Sequence, residues 1–290
     1  MKKIFRNIRI SNFPKNLLIL FPLIITGNLN KETNFDIIIS SLLLFFLITS
    51  ICYLINDYSD KEIDKINKLK NNPNLNKKKF LFYLIPLVFV FIFSIIYFDQ
   101  IYNYYLYLYI LNFLIYNYFG KKIKYLDIML LTNFYMLRIL YGVQVFNLEI
   151  SLGFILFSIT LFLSLSIIKR LTQIKINNLN KKNLVISYDS KSSNLLKKIF
   201  NITFTLNIII STFYLINNLG FLNFTNNFFI YTNQFPKEKM TILYFIYIIM
   251  MLNTFLNIAK NKINKDIYLY FISSKFNLFL FFFSITIIAY

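Results

Sequence analysis

The chain has no histidine, no tryptophan and one cysteine in 290 residues. Without histidine there is no imidazole acid–base catalysis, no His metal ligation and no Ser-His-Asp triad. The lone thiol, Cys52, lies inside an apolar run, so a disulfide framework is excluded. Acidic residues are also scarce, 12 against 31 Lys and Arg, for a formal charge of +19. Such an excess suggests nucleic acid as a partner, but its distribution argues otherwise. The basic residues fall in the N-terminus through Lys15 and in loops 56–79, 120–125, 169–198 and 259–275. The exceptions are Lys31, Lys237, Lys239 and Arg138.

What the chain has in abundance is apolar surface: 57% of residues are hydrophobic and 20% aromatic. Nine apolar runs approach the length of a membrane span: 13–30, 36–55, 80–98, 102–119, 126–146, 150–168, 199–219, 240–258 and 274–290. Met1 to Arg9 is basic, but no small-residue cleavage site follows the first run, so that run is expected to be a retained helix and not a signal peptide. Alternate loops carry the positive charge. The positive-inside rule then places the N-terminus in the cytoplasm and the C-terminus outside. The expected fold class is all-α, an integral membrane bundle of about nine helices forming one domain, with cytoplasmic loops at 56–79 and 169–198.

The first of those loops opens with Asn56-Asp57-Tyr58-Ser59-Asp60-Lys61-Glu62-Ile63-Asp64. Asp57, Asp60 and Asp64 are spaced three and four apart and share one face of a helix. Carboxylates in such a stripe repel one another unless a cation sits among them. Hard oxygen ligands at a membrane boundary suit Mg²⁺, which takes carboxylates together with substrate phosphates. The bland alternative is a solvated acidic face paired with nearby lysines.

Arg138 lies near the middle of the fifth run. A cation there costs at least about 2.5–3.5 kcal/mol on insertion scales, so it must face a cavity or a partner. It reads either as a phosphate ligand or as half of a structural pair with Asp127 or Asp60. Gly142, one turn on, leaves room beside it. Lys169-Arg170 ends the sixth run and opens the second large loop. Paired cations there are either snorkelling anchors or substrate contacts. The stretch from Leu171 to Ser187 contains no Asp or Glu and offers Thr172, Gln173 and Lys175, with Tyr188 just beyond. Lys121, Lys122, Lys124 and Asp127 form a third cytoplasmic cluster, and Lys15-Asn16 marks the first run.

Asn-Asp-x-x-Asp-x-x-x-Asp after the second of nine spans resembles the UbiA superfamily of intramembrane transferases, nine-helix enzymes with a central cavity capped by loops after helices two and six. Within it the chain looks most like the decaprenyl-phosphate phosphoribosyltransferases. Ile10 to Leu18 resembles that branch's Arg-Pro-x-Gln-Trp-x-Lys-Asn opening, keeping Lys15 and Asn16. Lys121 through Asp127 resembles its Lys-(Lys/Arg)-Ile-Pro-Leu-x-Asp segment. Leu137-Arg138 with Gly142 and Ser151 resembles Leu-Arg-x-x-x-Gly…Ser, and Lys169-Arg170 resembles the start of Lys-Arg-x-x-Glu. Gln173 stands where that branch has Glu, and Asn72-Pro73 where Arg-Pro is common. The aromatic prenyltransferases of the superfamily carry a second aspartate motif after helix six, and this chain has none there.

The resemblance implies a transferase of a bacterial inner membrane that uses Mg²⁺ and an isoprenoid lipid; the distribution of positive charge argues against a nucleic acid partner. Asp57, Asp60 and Asp64 are implied as metal ligands. Asp57, Asp60, Arg138 and Lys169 are implied as catalytic residues. Asn56, Lys15, Asn16, Lys121, Asp127, Arg170, Gln173 and Tyr188 are implied in substrate binding. The missing second motif favours transfer of 5-phosphoribosyl from PRPP to a polyprenyl phosphate. The alternative is transfer of a polyprenyl group from its diphosphate to an aromatic acceptor such as 4-hydroxybenzoate. A transporter would also bury Arg138 but gives no reason for the acidic stripe.

Overall fold

Nine apolar helical segments run through the computed structural model, which describes residues 10–26, 35–61, 76–97, 104–180, 188, 190–218, 237–259 and 274–289. There is no strand among the described residues. The first segment is a 3-10 helix, Ile10–Leu20, running into α1, Phe21–Ile25. Pro14 lies inside the former and Pro22 in the first turn of the latter. A first-turn proline removes only a donor that has no helical acceptor. The remaining helices are α2 (Phe35–Ser59), α3 (Lys77–Tyr97), α4 (Tyr104–Tyr118), α5 (Leu126–Val145), α6 (Leu152–Asn180), α7 (Ser190–Asn218), α8 (Lys237–Ala259) and α9 (Lys275–Ala289). Each coincides with one of the nine apolar runs. Five of the helices, α2, α3, α5, α6 and α7, are long and apolar enough to cross a membrane by themselves. The protein is an integral membrane protein.

The helices overrun the apolar windows where charge begins. The sixth run was expected to end at 168, yet α6 continues to Asn180. No glycine or proline interrupts 169–180, and Lys, Arg, Leu and Gln are good helix formers. At 29 residues, α6 is about 43 Å long against a hydrocarbon core of roughly 30 Å. Lys169 and Arg170 therefore sit within a helix and do not open a loop. The start of α7 likewise lies well before the expected 199, at Ser190. The described ends of the 169–198 segment are helical extensions.

The chain divides into two compact units, Met1–Leu148 and Glu149–Tyr290. In the first, α5 is the central element. It packs against the 3-10 segment, α1, α2 and α4. Phe45, Ile48, Tyr109, Leu137 and Tyr141 form the core between them. By contrast, α3 packs on α2 and buries only Phe91. Phe82, Phe89 and Phe93 point outward, the arrangement of a helix facing lipid. The second unit is built on an α6–α7 hairpin, with α8 against α7 and α9 against α8. Asn207 is fully buried there. Its amide donates to the Phe157 carbonyl at 3.0 Å and to Thr160 Oγ1 at 2.9 Å, and its Oδ1 accepts from the Tyr247 hydroxyl. Side-chain hydrogen bonds of this kind join helices where lipid offers no hydrophobic drive to do so.

Candidate functional site

One stripe of α2 carries the first unit's polar groups from the buried interior to the helix end. Thr49, Tyr53, Asn56, Asp57 and Asp60 succeed one another at helical spacing. The helix runs to Ser59, so Asp57 is helical and Asp60 lies in the turn just beyond it. Both are half-buried. The Asn56 carbonyl accepts from the Asp60 amide at 2.9 Å and from Ser59 Oγ at 3.0 Å, which closes the helix end. Asp64 falls outside the described residues. From Thr49 to Asp57 the stripe is about 12 Å long.

At the buried end stands Arg138, 2% exposed. Its Nε donates to Asn16 Oδ1 at 3.2 Å, Nη1 to the Phe134 carbonyl at 2.6 Å and Nη2 to the Tyr109 hydroxyl at 2.9 Å. Asn16 in turn donates to Thr49 Oγ1 at 3.1 Å. The guanidinium carbon lies 5.6, 5.1 and 5.8 Å from the ring centroids of Phe45, Tyr109 and Tyr135. Rings at that distance attract a desolvated cation. Among the described residues these partners are all uncharged. The alternative reading, a structural pair with Asp127 or Asp60, is not what the structure shows: Arg138 bonds to Asn16, Phe134 and Tyr109, and Asp60 pairs with Lys121. Asp127 is wholly buried in the first turn of α5. A carboxylate there meets the positive end of the helix dipole. The space beside Gly142 is also taken. A Cβ on Gly142 would stand 2.0 Å from the Ile19 carbonyl oxygen, so the glycine admits the backbone of the first segment. That close approach brings Asn16, one 3-10 turn before Ile19, to Arg138, one turn before Gly142. Lys15 is half-buried next to it.

At the other end of the stripe Lys121 Nζ donates to Asp60 Oδ1 at 2.5 Å and to Asn117 Oδ1 at 2.7 Å. Asn117 Oδ1 also accepts from Ser59 Oγ at 3.1 Å. The structure thus brings together Asp60 and Lys121 at one end, and Arg138 and Asn16 at the other. Asn117, Thr49 and Tyr109 were not expected. Asn117 had a signal, since it stands one turn before Lys121 in a run whose other amides are Asn103 and Asn112. Tyr109 had none to separate it from the other 21 of the chain's 22 tyrosines.

In the second unit Arg170 Nη1 donates to Gln173 Oε1 at 2.5 Å, an i to i+3 contact that exists because α6 continues past 168. A glutamine there is neutral, so this contact brings no opposite charge to the guanidinium, as a glutamate would. Lys169 and Tyr188 are half-buried.

No group of three His, Cys, Asp or Glu side chains gathers as a metal cage among the described residues. The chemistry nonetheless fits Mg²⁺. That ion is held by one or two carboxylates with the rest of its shell from water and substrate phosphates. Asp57 and Asp60 are two hard-oxygen donors one turn apart at the membrane boundary.

No family model matches the sequence, and no curated protein matches it. A solved structure described as a digeranylgeranylglyceryl phosphate synthase in membranes does, with a TM-score of 0.61 over 99% of this chain and 95% of that one at 17% identity. The fold is UbiA-like. The UbiA-like fold covers both units, and at this identity the likeness speaks for the fold alone.

Proposed function

We propose that the protein is a UbiA-superfamily membrane transferase that moves a 5-phosphoribosyl group from PRPP to a polyprenyl phosphate, releasing diphosphate. The observation that carries this reading is the α2 stripe. Two carboxylates at the membrane boundary lie on the helix face that leads to a buried guanidinium with only neutral partners. A guanidinium has five N–H donors, and three of Arg138's are engaged. A phosphate oxygen is the natural acceptor for the remainder. Asp57 and Asp60 would hold Mg²⁺, which supplies charge neutralisation for the departing diphosphate. Lys121 and Arg138 add fixed positive charge in a water-poor setting, where it stabilises a developing anion strongly. The phosphate oxyanion of the lipid is itself the nucleophile toward carbon 1 of the ribose. The carbon–diphosphate bond breaks as the new carbon–oxygen bond forms, and no histidine base is required.

The choice of PRPP rests on α6. Gln173 is neutral and hydrogen-bonds Arg170, and no carboxylate occurs from Leu171 to Ser187. A second metal cage there lacks ligands, whereas anion contacts by Lys169 and Arg170 do not need any. The second reading is transfer of a polyprenyl group from its diphosphate to an aromatic acceptor; the fold likeness to a digeranylgeranylglyceryl phosphate synthase is consistent with prenyl transfer but points to no aromatic acceptor. Purified protein given labelled PRPP with polyprenyl phosphate, or labelled prenyl diphosphate with an aromatic acceptor, each with and without Mg²⁺, tests both. Turnover of prenyl diphosphate with none of PRPP replaces the first reading by the second.

A further inference from the structure

Asp60 is assigned above to the metal, yet its Oδ1 already holds an ammonium. Lys121 Nζ reaches it at 2.5 Å, and the two side chains retain only 12% and 16% exposure. The contact is held from a second side. Asn117 stands one turn before Lys121, and its Oδ1 takes both Lys121 Nζ at 2.7 Å and Ser59 Oγ at 3.1 Å. Ser59 belongs to α2 and Asn117 to α4, so Asn117 ties the lysine and the carboxylate-bearing helix end to one point. An ammonium has three donors. Two are directed at Asp60 and Asn117, which leaves one for a third acceptor. A divalent cation and an ammonium on the same carboxylate repel one another strongly in a sheltered site, so each weakens the other's hold on Asp60.

We propose that Lys121 is the resting counter-ion of Asp60 and passes to a phosphate oxygen of the donor when the metal takes the carboxylate, with Asn117 as the fixed point of the exchange. The proposal rests on the reading of Asp57 and Asp60 as metal-holding residues. The lysine side chain suits the task, being a point charge on a flexible four-carbon stem. Metal binding releases Lys121, a diphosphate gives it a new partner, and each ligand thereby raises the affinity for the other by the same factor. Metal without donor is held weakly. This guards the carboxylates until both reactants are present.

The test is Mn²⁺ binding by electron paramagnetic resonance to the full chain in lipid nanodiscs, together with retention of labelled inorganic diphosphate at saturating Mn²⁺. In Lys121→Met, Mn²⁺ without diphosphate binds about tenfold tighter, while diphosphate retention falls about tenfold. The opposite signs separate an exchanging lysine from a structural one, whose loss lowers both. Lys121→Arg keeps the charge and leaves Mn²⁺ affinity at the wild-type value. Asn117→Leu frees the ammonium and tightens Mn²⁺ by a smaller factor, an arm that serves if Lys121→Met does not fold. Mn²⁺ affinity that is unchanged or weaker in both variants overturns the exchange. The control is Asp60→Asn. Mn²⁺ binding that survives it removes the metal reading, and the exchange with it. Binding lost in Asp60→Asn but indifferent to Lys121 overturns the exchange alone.

Discussion

The carbonyl oxygen of Ile19 lies 2.0 Å from the point where a Cβ on Gly142 would stand. This contact sets how closely the first segment approaches α5, and with it the 3.2 Å bond from Arg138 to Asn16. Ile19 is backbone, so it cannot swing aside as a side-chain tip would. Gly142→Ala is expected to destabilise the protein by about 1–3 kcal/mol, the usual cost of overpacking. Thermal unfolding in detergent measures it. An unshifted melting temperature would show that the two segments can separate freely.

Asn16→Asp separates a phosphate role for Arg138 from a purely structural one. The variant keeps an acceptor in front of Arg138 Nε and adds the negative charge that the site lacks. The fold is expected to persist, and affinity for PRPP to fall about tenfold as the guanidinium is neutralised. Equilibrium binding of labelled PRPP reads this. If Asn16→Asp binds donor as well as the wild type, Arg138 is a structural post joining the first segment, α2, α4 and α5.

Asp57→Asn and Asp60→Asn are expected to abolish Mg²⁺-dependent turnover while the protein remains folded in membranes. Both side chains are half-buried at a helix end, where an isosteric amide is accommodated. Asp64→Asn is expected to have an equal or smaller effect. Full activity in either of the first two, with Mg²⁺ still required, would remove them from the metal site.

Gln173→Glu converts the 2.5 Å contact with Arg170 into an ion pair. Because the residues are partly exposed, the gain in stability is expected to be small, about 0.2–1 kcal/mol. Proteolysis of the 171–188 segment reads the functional side. In the wild type, PRPP with Mg²⁺ is expected to slow cleavage, and in Gln173→Glu the protection is expected to weaken. Protection by geranyl diphosphate and none by PRPP would favour the prenyl-transfer reading.

The charge distribution predicts that 56–79 and 169–198 lie on one side of the membrane. Asn71→Cys and Asn178→Cys, each in a Cys52→Ser background, are expected to react with the same membrane-impermeant thiol reagent from the cytoplasmic side. Labelling from opposite sides would overturn the nine-span arrangement.

The number of helices and their apolar character were determined by the sequence alone. Insertion depends on the composition of about 20 consecutive residues, which is local information. The acidic stripe was legible for the same reason, since spacings of three and four bring Asp57 and Asp60 onto one face of whatever helix forms. The helix ends were less so. A hydropathy window stops at the first charges, whereas the backbone of α6 stops only where helix propensity fails, and Lys169, Arg170 and Gln173 support a helix in water. Only the tertiary structure decided the partners. Arg138 meets Asn16 across 122 residues and Lys121 meets Asp60 across 61. Composition offered acids for Arg138. Packing set α5 against the first segment through Gly142, which delivered Asn16, and left Asp127 buried in the first turn of α5. Which side chain answers a buried charge is settled by which backbones can come close, and that is a property of the assembled helices.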